Sequence, residues 1–224
     1  QGDQAQFSLH DGLTVADFHQ KLIAILQKFK ISVSIVDVPF DLDIDKSFDA
    51  ITEYHHYDTA YTTDLWRTML WINNIFKEFG GRFYGKTCPV HLYWHSMDLV
   101  VTRFNGDEAP PMPADARLSD KDAYTHECIS FGFWAGDDNV PEPAFYSYTY
   151  PSPDGVDKEK IKPSSAKWID SNGSPMAILT YKDLLQTENP RNELLAFLES
   201  TYQAGAKKAN WDIEKFTVPN LEDL

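Results

Sequence analysis

Three stretches of the chain space their apolar residues at steps of three and four, which is the period of an α-helix. The most regular is 58–79, where one stripe contains Tyr61, Leu65, Met69, Ile72, Phe76 and Phe79. Thr14 and Asn189 are suited to cap two further helices, and Pro190 suits a first helical position. We therefore predict helices over 14–30, 58–79 and 190–209.

Other stretches have the composition and alternation of β-strands. The run 89–106, PVHLYWHSMDLVVTRFNG, has no glycine or proline between Val90 and Asn105, and it predicts one long strand in which His91, Tyr93 and His95 share a face. Further strands are predicted at 124–134, 145–150 and 176–180. The segment 31–35 alternates Ile and Val with Ser, which predicts a half-buried strand.

Together these elements predict an α+β fold, a mainly antiparallel β-sheet with three principal helices packed on it. No linker divides the chain, so we expect a single domain over 1–224, in which 211–224 forms an acidic, partly ordered tail. Residues 40–57 are acidic and irregular, and they are expected to form a solvated loop. The chain begins at Gln1 without a methionine, so we expect an N-terminal segment to be lacking.

Charge and composition limit the classes of partner that the protein is expected to bind. The 224 residues include 20 basic and 34 acidic side chains, a formal net charge of −14, which repels phosphate backbones and anionic bilayers. We therefore expect neither nucleic acid nor a membrane as a partner, and the oligomeric state is left open. Two cysteines do not make a disulfide scaffold, and no apolar run reaches about 20 residues, so a cytoplasmic location is expected.

Several ionisable residues fall on strands that are otherwise apolar, where charged groups are rarely placed without a function. If the strand with His91 pairs with the strand with His126, their polar faces form one surface. We predict a small-molecule pocket there, with or without catalysis. Its predicted lining is His91, His126, Glu127 and Glu142, and further candidates are Asp98 and Arg103.

Four alternatives stay open at this point. His91, His126 and Glu142 form a donor set for Fe or Zn, and the same groups without metal could serve as acid and base. They could instead only satisfy one another, for example Arg103 with Asp98 or Glu127, in a structural or interaction protein. A carbohydrate or aromatic ligand could stack on aromatic residues, for which the candidates are Trp94, Trp134, Tyr146 and Tyr148.

The chain resembles a family of bacterial proteins known only as a domain of unknown function. The resemblance is carried by PVHLYWHSMDLVVTRFNG, AYTHECISFGFWAG, VPEPAFYSYTYP and LLAFLESTYQAGAKKANWD. It implies family positions at His91, Trp94, Asp98, Arg103-Phe104, His126-Glu127 and Glu142-Pro143. His95 departs from the pattern, which has a small residue there, and this weakens His95 as a ligand. The resemblance implies no activity, and it implies a preceding segment rich in Trp and His.

Overall fold

The computed structural model of the chain describes residues 2–39, 42, 44–53 and 56–219. Asp41, Asp43 and His55 of the predicted acidic loop, and the last five residues of the predicted tail, lie outside this description. The chain divides into two compact units, 1–68 and 69–224. The single domain expected over 1–224 stays a prediction.

The first unit contains helix α1, Val15–Lys28, a 3₁₀ turn at Phe48–Ala50 and the start of helix α2, Thr59–Gly81. The Thr14 hydroxyl accepts a hydrogen bond from the Asp17 amide, as its capping position predicts. The predicted strand at 31–35 is wrong. Ile31, Val33 and Ile35 are 46–51% exposed in extended backbone that pairs with no described strand, because alternation makes a strand only where a neighbouring strand accepts its hydrogen bonds.

The second unit is built on one antiparallel sheet, in which six described strands follow the order β1-β2-β3-β4-β6-β5. The strands are β1 Lys86–Tyr93, β2 Asp98–Glu108, β3 His126–Trp134, β4 Ala144–Tyr150, β5 Lys167–Ser171 and β6 Ser174–Thr180. The predicted α+β class with a mainly antiparallel sheet is confirmed.

The remaining helices are α3 Leu118–Ala123, α4 Tyr181–Leu185, α5 Pro190–Lys208 and α6 Ile213–Phe216, with a 3₁₀ turn at Val156–Lys158. The Asn189 side chain accepts from the Asn192 amide and Pro190 opens α5, as predicted. The three predicted principal helices agree with the structure to within two residues at each end. Within the described residues, no helix has the length and apolar content needed to cross a bilayer.

One face of the sheet is covered by α5 and by the last turns of α2. The Phe79 and Phe131 rings meet edge to face with centroids 4.7 Å apart, and Phe76 and Phe145 meet at 6.5 Å. Gly205 of α5 lies so close to β4 that a Cβ there would overlap the Thr149 side chain. This covered face is therefore a close-packed core.

The predicted long strand at 89–106 is wrong, because the chain reverses in its middle. Residues 94–97 form the turn of a β1–β2 hairpin, with Met97 at φ +57°, and a bulge follows Cys88 in β1. Such a turn usually uses glycine, asparagine or aspartate, and the sequence WHSM contains none of them. Nothing local in the sequence therefore marks this hairpin.

The C-terminal segment, expected as a partly ordered tail, is described as far as residue 219. Trp211 is 6% and Phe216 is 8% exposed, and the Phe216 ring stacks on Phe83 with centroids 5.0 Å apart. The Tyr84 amide donates to the Phe216 carbonyl at 2.9 Å. Apolar contacts and a backbone bond thus hold this segment against the chain after α2.

Candidate functional site: a tyrosine-lined cleft

The face of the sheet opposite α5, which we call the open face, carries small side chains beside large aromatic ones. In the register, Gly132 lies between Val100 and Tyr146, and Ser130 lies between Thr102 and Tyr148. Cross-strand partners share a face, so these side chains form continuous rows. Small residues on β3 beside tyrosines on β4 leave a depression between β2 and β4.

This depression is a cleft of about 340 Å³, which we call the tyrosine cleft. Its lining consists of hydroxyl groups, thiols and apolar side chains with a single carboxylate. The lining residues are Cys88, Tyr93, Asp98, Val100, Thr102, Phe104, Ala123, Tyr124, Cys128, Ser130, Tyr146 and Tyr148.

Gly132 allows one wall of the cleft to form. The Tyr146 ring lies directly over the Gly132 backbone, and a Cβ at that position would overlap the ring. The same ring packs edge to face against Trp134 at 5.4 Å and stacks on Tyr148 at 6.1 Å. The absence of a side chain at 132 therefore allows the Tyr146 ring to occupy this position.

Asp98 lies at the first position of β2 and is 8% exposed. Its Oδ2 accepts a hydrogen bond from the Tyr146 hydroxyl, and its Oδ1 accepts one from the Ser96 hydroxyl in the hairpin turn. These bonds compensate part of the cost of burying a carboxylate. The carboxylate is thus held in a fixed orientation at the cleft.

The phenols and the buried thiol of the cleft are protonated at neutral pH, and burial extends the pH range over which they stay protonated. The pKa of Tyr146 is raised well above its ordinary value, first by burial and then by the negative charge of Asp98. Burial also raises the pKa of Tyr148 and of Tyr124, whose hydroxyls are 3.0 Å apart. Burial raises the pKa of Cys128 to about 12. The cleft therefore offers neutral hydroxyls and one carboxylate.

The two predicted histidines do not converge. His91 lies on the open face at the cleft margin, with its ring 4.4 Å from the Tyr93 ring and its Nδ1 2.7 Å from the Pro89 carbonyl oxygen. β2 separates the strand of His91 from that of His126, and His91 is level with Gly132 in the register. His126 lies six residues from Gly132 along β3, which corresponds to about 20 Å.

His126 instead borders a separate cavity at the other end of β2 and β3. It pairs across the strands with Glu108, and its Nδ1 lies 3.0 Å from the Thr125 hydroxyl. The cavity also includes Pro110, Pro111 and Lys121. The predicted pocket shared by His91 and His126 is therefore wrong.

Glu127 faces away from the cleft. Its Oε2 accepts hydrogen bonds from Asn105 Nδ2 at 2.8 Å and from the Trp211 indole at 3.0 Å. The bond from the Trp211 indole anchors the C-terminal segment to the sheet. Glu127 is thus a structural residue, and its prediction as a pocket residue is wrong.

Arg103 is also on the covered face and is 1% exposed. Its Nη2 donates to the Phe79 carbonyl at 2.6 Å, and its guanidinium lies 3.6 Å from the Phe79 ring centroid and 4.3 Å from that of Tyr202. Burial lowers the pKa of Arg103 to about 10. Neither Asp98 nor Glu127 pairs with it, so the predicted charge pair is wrong.

The proposed metal ligands are not brought together. Glu142 lies in the turn before β4, its amide bonded to the Val140 carbonyl, near the end of β3 opposite to His126. Among the described residues, no three His, Cys, Asp or Glu side chains are close enough to share a metal ion. The strand register therefore contradicts the metal hypothesis for His91, His126 and Glu142.

Of the four predicted aromatic residues, the two tyrosines line the tyrosine cleft and the two tryptophans do not. Tyr146 and Tyr148 line the tyrosine cleft, whereas Trp134 is 9% exposed and packs in a small cluster with Ala144 and Ile178. Trp94 is 85% exposed in the hairpin turn, next to His95. Trp134 therefore supports the wall of the cleft and has no free face for a ligand.

Sequence reasoning identified three of the twelve residues that line the cleft. Asp98, Tyr146 and Tyr148 are the lining residues that the sequence predicts as site residues, whereas Tyr93, Tyr124 and the two thiols are not among the predicted ones. The usable signal is the small face of β3, formed by Cys128, Ser130 and Gly132, beside the three alternate tyrosines of β4. Tyr124 carries no such signal, because it reaches the cleft from the end of α3.

The chain belongs to a family of unknown function (DUF5996), whose profile matches residues 1–218. No curated protein and no solved structure matches the chain significantly. The predicted membership in an uncharacterised family is confirmed.

Proposed function

We propose that this family member binds a small organic molecule in the tyrosine cleft. The observation that carries the proposal is a buried carboxylate, Asp98, held by Tyr146 and Ser96 at the wall of a cavity of about 340 Å³. Ligand sites are typically concave and largely apolar, with a few polar groups in fixed positions. The cleft has this composition, and it lies on the face of the sheet that α5 does not cover.

We propose the cytoplasm as the location, because Cys88 is a partly exposed thiol without a disulfide partner and such a thiol is best preserved in a reducing compartment. Cys88 and Cys128 lie on either side of β2 and both line the cleft. They oppose Thr102 and Phe104 in the register, so β2 stands between them. A disulfide requires Cα atoms within about 7 Å, which two strands separated by a third do not provide.

Cys88 gives a direct test of ligand binding. It is partly exposed, whereas Cys128 is buried with its pKa raised to about 12, so an alkylating agent reacts first with Cys88. We expect a compound that occupies the cleft to slow alkylation of Cys88 by iodoacetamide in the folded protein. Compounds from a fragment library are first selected by a rise in melting temperature, and alkylation is then followed by mass spectrometry.

A matched pair of variants locates the effect. Ser130→Leu fills the floor of the cleft and should abolish protection, whereas Ser119→Leu makes the same chemical change at an exposed position in α3 and should preserve it. Near-ultraviolet circular dichroism checks that both variants are folded. If every stabilising compound leaves the Cys88 alkylation rate unchanged, the cleft is not the binding site and the proposal fails.

A second candidate function is carbohydrate binding in a neighbouring cavity of about 330 Å³. Tyr148 and Tyr150 border this cavity with hydroxyl groups from Ser152, Ser171 and Ser174, and such residues bind sugars by stacking and hydrogen bonding. A panel of oligosaccharides tests this function by tyrosine fluorescence. Binding that survives Tyr150→Ala would count against this cavity.

A further inference from the structure

We propose that the ligand of the tyrosine cleft is an organic cation, an amine or guanidine whose positive charge lies beside Asp98. This inference rests on the proposed function and adds the chemical class of the ligand. It follows from the charge of the cleft lining, the geometry of the Asp98 carboxylate and the rings around it.

The cleft contains a negative charge without a protein counter-charge. Among the described residues that line it, Asp98 is the only acidic side chain and none is a lysine, arginine or histidine, and the ion pairs formed by the described residues do not include Asp98. A buried carboxylate is costly unless it is hydrogen-bonded and paired with a cation. Hydrogen bonding is supplied by Tyr146 and Ser96, whereas a cation is not.

The carboxylate retains capacity for a ligand. Two carboxylate oxygens provide about four acceptor positions, and the bonds from Tyr146 and Ser96 use one on each oxygen. Both of these hydroxyls already donate to Asp98. A ligand ammonium or guanidinium group can therefore bond the same oxygens without displacing a protein donor.

The aromatic walls favour the same class of ligand. Tyr93, Tyr124, Tyr146 and Tyr148 line the same cleft as Asp98, and the face of a tyrosine ring attracts a cation within about 6 Å of its centre. Burial raises the pKa of Tyr146 and Tyr148, so their rings stay neutral phenols beside a bound cation. The net charge of −14 also attracts cations and repels anions.

Three sets of compounds test this inference. Within a set the carbon skeleton is the same, and the compounds differ in being cationic, neutral or anionic. Benzylamine, phenethylamine and butylamine are each compared with the alcohol and the carboxylate of the same skeleton, at pH 7.5. The dissociation constant is measured from protection of Cys88 against iodoacetamide. We expect at least one amine to bind tenfold or more tightly than its alcohol, and the carboxylates to give no protection.

Two substitutions of aspartate distinguish an effect of the Asp98 carboxylate at the site from an effect of the overall net charge. Asp98→Asn should remove the preference for the amine, whereas Asp107→Asn, an equal charge change at an exposed position of β2, should keep it. If Asp98→Asn does not fold, Asp98→Ser serves instead, because it also removes the charge while keeping a small polar side chain, and it should likewise remove the preference.

The outcomes distinguish this inference from the function on which it rests. Equal protection by amine and alcohol overturns the cation inference but leaves a cleft that binds neutral molecules. Stronger binding of a carboxylate also overturns it. If no amine protects Cys88, the cation inference fails, and the fragment library described above decides separately whether the cleft binds small molecules.

Discussion

The two faces of the sheet each bury one charged residue of β2, and they do so in different ways. Arg103 on the covered face is enclosed by the Phe79 and Tyr202 rings and bonds a backbone carbonyl. Asp98 on the open face is hydrogen-bonded by side chains and borders a cavity. A buried charge is thus a candidate for binding where open volume adjoins it, as at Asp98, whereas a charge sealed by packing, such as Arg103, is structural.

The largest expected effect tests the structural role of Arg103. Arg103→Ala should lower the free energy of unfolding by about 4 kcal/mol, because it leaves a cavity in a close-packed core and an unpaired Phe79 carbonyl. Arg103→Met keeps most of the volume and removes a desolvated charge, so its loss should be about 1 kcal/mol. Urea denaturation measures both. An equal loss in the two variants would show that the charge itself holds the aromatic rings.

The next effect tests whether Gly132 sets the cleft wall. Gly132→Ala should cost about 3 kcal/mol, because the new methyl group overlaps the Tyr146 ring and forces it off Asp98. Adding Tyr146→Ala to this variant should cost less than Tyr146→Ala alone costs the wild type, since the overlap is then gone. Additive losses in this double-mutant cycle would contradict the close approach.

A smaller effect compares two hydroxyls of the open face. Tyr146→Phe removes a donor to a buried carboxylate and should cost about 2 kcal/mol, whereas Tyr148→Phe removes a bond between neutral hydroxyls and should cost about 1 kcal/mol. Thermal and urea unfolding at pH 7 measure the difference. A greater loss from Tyr148→Phe would mean that Asp98 does not depend on Tyr146.

The smallest effect is a pH dependence of the free energy of unfolding, which arises from a thiol on the open face. Burial raises the pKa of Cys128 from 9.0 to about 12, so above pH 9 the unfolded chain releases this proton while the folded chain keeps it. Stability should therefore fall as pH rises, and Cys128 should contribute up to about 1.4 kcal/mol per pH unit. Cys128→Ala should lose this part of the slope between pH 9 and 10.5.

Val100→Ala is the control for this pH dependence, because it removes buried volume from the same face without removing a proton. Its unfolding free energy should fall with pH as steeply as that of the wild type. A slope that changes equally in both variants would show that packing, and not the Cys128 thiol, causes the difference.

The sequence by itself determined the elements whose signals are local. The three principal helices and their caps at Thr14 and Asn189 follow from apolar periodicity and from side chains that bond nearby amides. The alternating faces of β3 and β4 follow from the two-residue period of a strand, which placed Cys128, Ser130 and Gly132 together and Tyr146 beside Tyr148. The sequence also predicted membership in the family.

The tertiary structure alone decided which of these faces meet. The hairpin at 94–97 puts β2 between His91 and His126, and the register sets them about 20 Å apart, so the pocket predicted from the sequence does not form. Strand order and register depend on pairings between residues far apart in the chain, which no local pattern encodes. For the same reason only the fold shows that Asp98 borders a cavity while Arg103, five residues later on β2, is sealed in the core.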